Sequence, residues 1–187
     1  MAALFVQISI SVDGYIEDAN GGLEWFTQDQ AVDAFATRTL RSIDGMAFGR
    51  TAHALLAEFW KNAAEPDPSP DLPEQARLMN ALPKYVLSHR ALDVQWTNSQ
   101  RVHVDDLVRI KREAARPIAM FAGAAAVRAA LAANIVAELR LICYPVVLGA
   151  GKPLFERSGV RRNLSMTERS EFSSGAVLSR YAVPVSP

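Results

Sequence analysis

Cysteine is almost missing from this chain: Cys143 stands alone among 187 residues. One thiol cannot close an internal disulfide. Its place inside the apolar run Leu139 to Val147 predicts an inert core thiol in a reducing compartment rather than a nucleophile. Charge of one sign is lacking too, since 20 Lys and Arg balance 20 Asp and Glu and the pI is 6.8. No field of one sign draws the chain to nucleic acid or to an anionic membrane surface. No stretch approaches the roughly 18 apolar residues of a membrane span, and MAALFVQISIS has neither a basic segment nor a long apolar core. These absences predict a cytoplasmic protein whose partners include neither nucleic acid nor membrane.

Familiar chemical motifs are missing as well. No GxGxxG follows the first apolar run, and there is no P-loop. No GxSxG or Cys/His pairing supplies an acyl-transfer nucleophile. His53, His89 and His103 lie far apart without carboxylates or cysteine at ligand spacing, so no metal site is expected. What remains is chemistry that a cofactor carries and the protein positions.

With 50% hydrophobic and 21% charged residues, the composition is that of an ordinary globular domain, and the length predicts one domain over 1–187. LFVQISISV, residues 4–12, alternates strictly. Leu4, Val6, Ile8, Ile10 and Val12 predict a core face; Phe5, Gln7, Ser9 and Ser11 predict a second face lined by small polar groups, with room for a ligand. A helix is expected from about Asp29 to Ser42, a strand at 45–48, and a helix from 51 to about Trp60. NAAEPDPSPDLP reads as a surface loop, with Glu65 to Pro73 either a lid or a tolerated insertion. A helix over 74–82, a strand over 84–87, a helix from Asp105 to about Ala115, a strand IAMF after Pro117 and a helix after Ala122-Gly123 follow. Residues 139–148 predict a strand buried on both faces, and 164–183 two strands joined at Ser174-Gly175. The order gives an α/β, three-layer fold: a mostly parallel central sheet, helices on both faces and an antiparallel C-terminal edge.

Three strand exits carry unusual residues: Gly49-Arg50-Thr51, Ser88-His89-Arg90 and Ala122-Gly123-Ala124. Such exits lie at the carboxyl edge of a parallel sheet, where ligands bind. Two lead directly into helices whose first amides are unpaired donors at the positive dipole end. Small residues let an anion approach, and Arg50 and Arg90 add charge. Together the exits favour a dinucleotide whose pyrophosphate and 2′-phosphate satisfy this set.

ISISVDGYIEDANGGLEWF resembles the opening of the dihydrofolate-reductase-like family that includes the reductase domain of the riboflavin-pathway deaminase–reductase. DGMAFGR, KYVLS, Trp96 in WTNS, FAGAAAVRAAL, VAELRLICYPVVLGAGKPLF and SGAVLSRYAV follow in the family's order. The resemblance implies an NADPH-dependent oxidoreductase that transfers a hydride to a small molecule. By position it implies that Ser9 and Ile16 hold the nicotinamide and that Gly49, Arg50 and Thr51 bind phosphates. Ser88, His89 and Arg90 would take the adenosine 2′-phosphate, and Ala122, Gly123, Ala124, Ala125, Ala126 and Val127 would cradle the pyrophosphate. NADPH is expected over NADH, because Arg50 and Arg90 need a dianion to pair with.

There are departures. The usual Gly-Gly is Ala122-Gly123, so the turn must tolerate one Cβ, and Ala52 replaces a common threonine. Gly21-Gly22-Leu23 stands where folate reductases place a pterin-binding carboxylate, and Phe121 stands where riboflavin-pathway reductases often have an acid. Asp13 and Glu24 are the carboxylates nearest the hydride end by the family layout and the candidates for proton transfer; Asp13 serves equally as an Asx-turn residue before Gly14. Ser11, Trp25 and Phe26 are the expected substrate contacts, with core filling the other use of the aromatics. Lys152 is expected to face solvent. A homodimer paired through edge strands fits the family. The alternative function is a non-catalytic NADPH-binding or regulatory homodimer.

Overall fold

The computed structural model describes residues 2–27, 29–63, 72–92, 95–155 and 161–184. In chain order the elements are β1 (Leu4–Ser11), β2 (Tyr15–Glu17), α1 (Gln30–Arg41), β3 (Gly45–Gly49), α2 (Arg50–Asn62), α3 (Leu72–Ala81), β4 (Lys84–Leu87) and β5 (Ser99–Val102). Then come α4 (Val104–Glu113), β6 (Ile118–Ala122), α5 (Ala124–Ala132), β7 (Glu138–Tyr144), β8 (Lys152–Pro153), β9 (Ser165–Glu171) and β10 (Val177–Ala182). Eight strands form one sheet in the order β5-β4-β3-β6-β1-β7-β10-β9. The pairs from β5 to β7 are parallel; β10 runs antiparallel to β7, and β9 to β10.

Helices cover both faces. On one, Leu40 of α1, Ala57 of α2 and Met79 of α3 bury against Phe5, Met46 and Phe48. On the other, Leu107 and Ile110 of α4 and Val127, Ala130 and Leu131 of α5 bury against Leu4, Val6 and Met120. Asp29 fixes the start of α1 through its Oδ1, which accepts from the Ala31 amide at 2.8 Å, while its Oδ2 accepts from the Ser174 amide at 2.7 Å. With the Ser174 hydroxyl also bonded to it, the Asp29 carboxyl is pulled down to about 2.

Several expectations need correction. The second face of β1 is not a wet ligand wall: Phe5, Gln7 and Ser11 are buried, and Thr39 of α1 donates to Gln7 Oε1 at 3.2 Å. Val12 lies beyond the strand and is 61% exposed. The strand read over 139–148 stops at Tyr144, because Pro145 lacks the amide that would continue the ladder. It is also only half buried on alternate residues, so Cys143 is partly exposed rather than a core thiol. Burial still pushes its thiol above the ordinary range. The helix placed at 74–82 begins at Leu72, with Pro73 in the first turn where its missing N–H costs nothing. Residues 64–71, which hold most of the proline-rich stretch, lie outside the described residues.

Candidate functional site

Strand order creates the site. After β3 the chain steps outward to β4 and β5, then returns to place β6 between β3 and β1. At this switch point the helix after β3 lies on one face and the helix after β6 on the other, opening a crevice at the carboxyl ends. A cavity of about 460 Å³ fills it. Its walls are Gly49 to Ala52, Leu87 to His89, Val102 to Asp105, Gly123 to Ala126 with Ala129, and Glu17 with Lys152.

Two helices aim their N-termini into this space. Gly49 precedes α2 and Gly123 precedes α5, and neither receives a side-chain cap. The residue before each helix thus provides no cap for its first amides, the donors a helix offers an anion. Gly123 sits at φ +95°, and a Cβ there would lie 2.9 Å from the Gly49 nitrogen. The two glycine backbones approach so closely that only glycine fits at 123. Ala122 ends β6 in strand conformation, so its methyl is tolerated without strain. The family's double glycine needs only its second member here.

The expected phosphate residues converge: Gly49, Arg50, Thr51, Ser88, His89, Gly123, Ala124, Ala125 and Ala126 all border the one cavity. Arg90 lies just outside it in an exposed turn, where its amide donates to Ser88 Oγ at 3.0 Å and Ser88 Oγ donates to the Arg90 carbonyl at 2.8 Å. Val127 is fully buried in the core, and Ile16 is 6% exposed. Neither they nor Ser9 borders the cavity; Ser9 instead hydrogen-bonds the Tyr144 phenol, whose pKa burial raises.

The residues assigned to chemistry are placed less simply. Asp13 accepts from Ser11 Oγ at 2.6 Å, the Leu148 amide at 3.1 Å and the Gly149 amide at 2.7 Å. These bonds, the Ser11 hydroxyl foremost, hold its carboxyl below the ordinary range. Asp13 clamps the loop after β1 to the loop after β7, and a carboxylate so held is a poor proton donor. Ser11 is fully buried, and its hydroxyl accepts from the Tyr15 amide while donating to Asp13, so it offers no substrate contact. Glu24 is exposed and lies outside the cavity wall. Trp25 and Phe26 form an edge pair at 4.1 Å and close on Tyr144 beside Ile142 and Leu178. Trp25 Nε1 is buried without a hydrogen-bond partner among the described residues.

Sequence reasoning missed two parts of the wall. Val102 to Asp105 enter through β5, whose SQRV sequence has no apolar alternation to announce a strand. Lys152 was expected in solvent, yet it reaches Glu17 at 3.2 Å and joins the cavity wall. Gly151 brings the two together at φ +143°, where a Cβ would run into the Glu17 carbonyl. Among the described residues no cluster of His, Cys, Asp or Glu is arranged to hold a metal, and no helix is long and apolar enough to cross a membrane.

Sheet order, switch-point crevice and paired glycine turns define the dihydrofolate-reductase-like fold. Dihydrofolate reductase of Enterococcus faecalis, solved with NADP(H) and RAB-propyl, matches 97% of this chain and 96% of its own with a TM-score of 0.61 at 14% identity. A putative riboflavin biosynthesis protein from Shewanella sp. PV-4 matches at a TM-score of 0.76 and 19% identity, over 97% of this chain and 99% of its own. Within that fold the chain belongs to the RibD C-terminal domain family, which it matches over residues 2–178. The uncharacterized protein YyaP of Bacillus subtilis (strain 168) is 30% identical over 183 residues, 95% of this chain and 93% of YyaP.

Proposed function

We propose that this protein binds NADPH in the crevice between β3 and β6 and reduces a small molecule. One observation carries the reading: two uncapped helix N-termini and Arg50 border a single cavity at the switch point of the sheet. Amides at α2 and α5 suit the pyrophosphate, and Thr51 adds a hydroxyl along the wall. The Gly49–Gly123 approach keeps Cβ atoms away from the place where those phosphates would lie. When bound, the dihydronicotinamide supplies a hydride. The protein's own part is to orient the ring and to exclude water.

The proton for the acceptor is a separate matter. Asp13 is clamped by three donors, Glu17 is paired with Lys152, and Glu24 lies outside the cavity wall. This arrangement supports protonation from solvent or from the substrate itself, and it supports the second reading, an NADPH-binding protein without catalysis. Oxidation of NADPH followed across dihydrofolate, a ribityl-pyrimidine precursor and a quinone panel separates the two. The exposed β9 edge supports assembly as a homodimer, and the balanced charge supports a cytoplasmic setting with small molecules as the other partners.

Ala125→Glu tests the binding mode. Ala125 is exposed in the first turn of α5 and borders the cavity. A carboxylate there favours the helix by complementing its dipole but repels a pyrophosphate. The variant is expected to fold at least as well as the parent while NADPH fluorescence titration shows affinity lower by about tenfold or more. Unchanged affinity would place the cofactor elsewhere and end this reading.

A further inference from the structure

We propose that His89 and His103 act as a pair that makes preference for the 2′-phosphorylated dinucleotide depend on pH. The proposal rests on the NADPH reading above and adds a residue, His103, with its partner. His89 leaves β4 and His103 leaves β5, two parallel neighbours whose last residues, Leu87 and Val102, are in register. The shared register brings residues fourteen apart in sequence to one rim. The imidazole centroids are 5.3 Å apart with their planes inclined by 45°, and both residues are exposed and border the cavity.

The chemistry follows from that spacing. Imidazole is the side chain whose charge ordinarily changes between pH 5 and 8. Two imidazolium rings this close repel one another. A phosphate dianion lying against both rings reverses that repulsion and draws both protons in. Nearby charges set the background. Arg50 faces the rim from α2, and Arg90 follows His89 in its own loop. On α4, Asp105 borders the cavity, while Asp106 Oδ2 accepts from the His103 amide at 2.8 Å. Glu17 and Lys152, on the far wall, are paired with each other. Asp105, at the phosphate end, repels the ligand. A nucleotide lacking the 2′-phosphate gains nothing from the pair. The ratio of NADH to NADPH dissociation constants therefore rises as pH falls from 8, until the phosphate takes its own second proton near pH 6.

The experiment measures both dissociation constants by nicotinamide fluorescence between pH 8 and about 6.3, for the parent, His89→Gln, His103→Gln and the double variant. Uptake of one linked proton changes the ratio by up to about tenfold per pH unit. The parent ratio is expected to rise by about tenfold across the range, and the double variant's ratio to stay flat or fall. Each single variant keeps a smaller rise, because the remaining imidazole still takes up one proton when the phosphate lies against it. Far-UV circular dichroism checks that these surface variants keep the fold, and a variant that loses it is replaced by its His→Asn counterpart. A parent ratio without pH dependence, or equal profiles in parent and double variant, overturns the pair while leaving the NADPH site standing. If neither nucleotide binds, the NADPH reading falls and takes the pair with it.

Discussion

Lys84 is fully buried, yet its ammonium is well provided for. Nζ donates to the carbonyls of Asn80 at 3.1 Å, Leu82 at 2.8 Å and Thr97 at 2.9 Å, and it lies 4.6 Å from the centre of the Trp96 ring. Two of those carbonyls close the end of α3, so the lysine serves as a C-terminal cap reached from the next strand. Desolvation lowers its pKa from 10.5 to about 8. Between those values the unfolded chain holds more protons than the folded one, and stability contributed by this group climbs with pH from about 8 to 10.5. Tyr85 and Tyr144, both raised by burial, oppose the climb at its upper end. In Lys84→Met the climb disappears, and at pH 7 the orphaned carbonyls cost on the order of 2 kcal/mol. Urea unfolding of parent and variant from pH 7 to 9.5 checks both; parallel stability curves would contradict this account of Lys84. Nothing in KYVLS distinguishes this lysine from a surface one. Its burial depends on Trp96, which is brought near by tertiary structure alone. Gly123 was more legible, since a glycine after a strand and before a helix has few other uses.

Elements were legible where apolar residues made the pattern. β1, β3, β4 and β6 each carry buried hydrophobics and sit inside the sheet. β5, at the sheet edge, has only Val102 as a buried anchor, and β2 and β8 together span five residues, too few for a period. Yet β5 and the β2–β8 ribbon supply the cavity walls that the sequence left unannounced. The ribbon hangs on Gly151 and on the Leu154 amide, which donates to the Gly14 carbonyl at 3.0 Å. Gly151→Ala must displace the Glu17 carbonyl and accept a φ of +143°, at a cost of about 1–3 kcal/mol. The expected outcome is a lower denaturant midpoint, faster amide exchange over Tyr15–Glu17 and weaker NADPH binding, because Glu17 and Lys152 leave the wall. Exchange confined to global unfolding, with affinity unchanged, would detach the ribbon from the site.

At the scale of the molecule the fold is unequally covered. α1 to α3 and α4 with α5 shield the strands from β5 to β1, but all seven residues of β9 are exposed and Met166 is 56% exposed. Beside it, Leu141, Cys143, Val177 and Tyr181 are only partly buried on the alternate face of β7 and β10. Among the described residues no strand pairs with the outer edge of β9; such an edge invites another strand, and a zero net charge sets up no long-range repulsion between copies. The sequence of β9 alternates in charge through Glu168, Arg169 and Glu171. Antiparallel pairing about a two-fold axis can therefore set arginine of one copy against glutamate of the other. Light scattering after size exclusion should give twice the chain mass for the parent across the micromolar range. Met166→Asp with Arg169→Glu should give the monomer, because like charges then face one another along the seam. The cavity lies at the opposite reach of the sheet, so the monomeric variant should keep its NADPH affinity. A parent that elutes at the mass of one chain means that β9 is guarded by its own charges and that the site works without a partner.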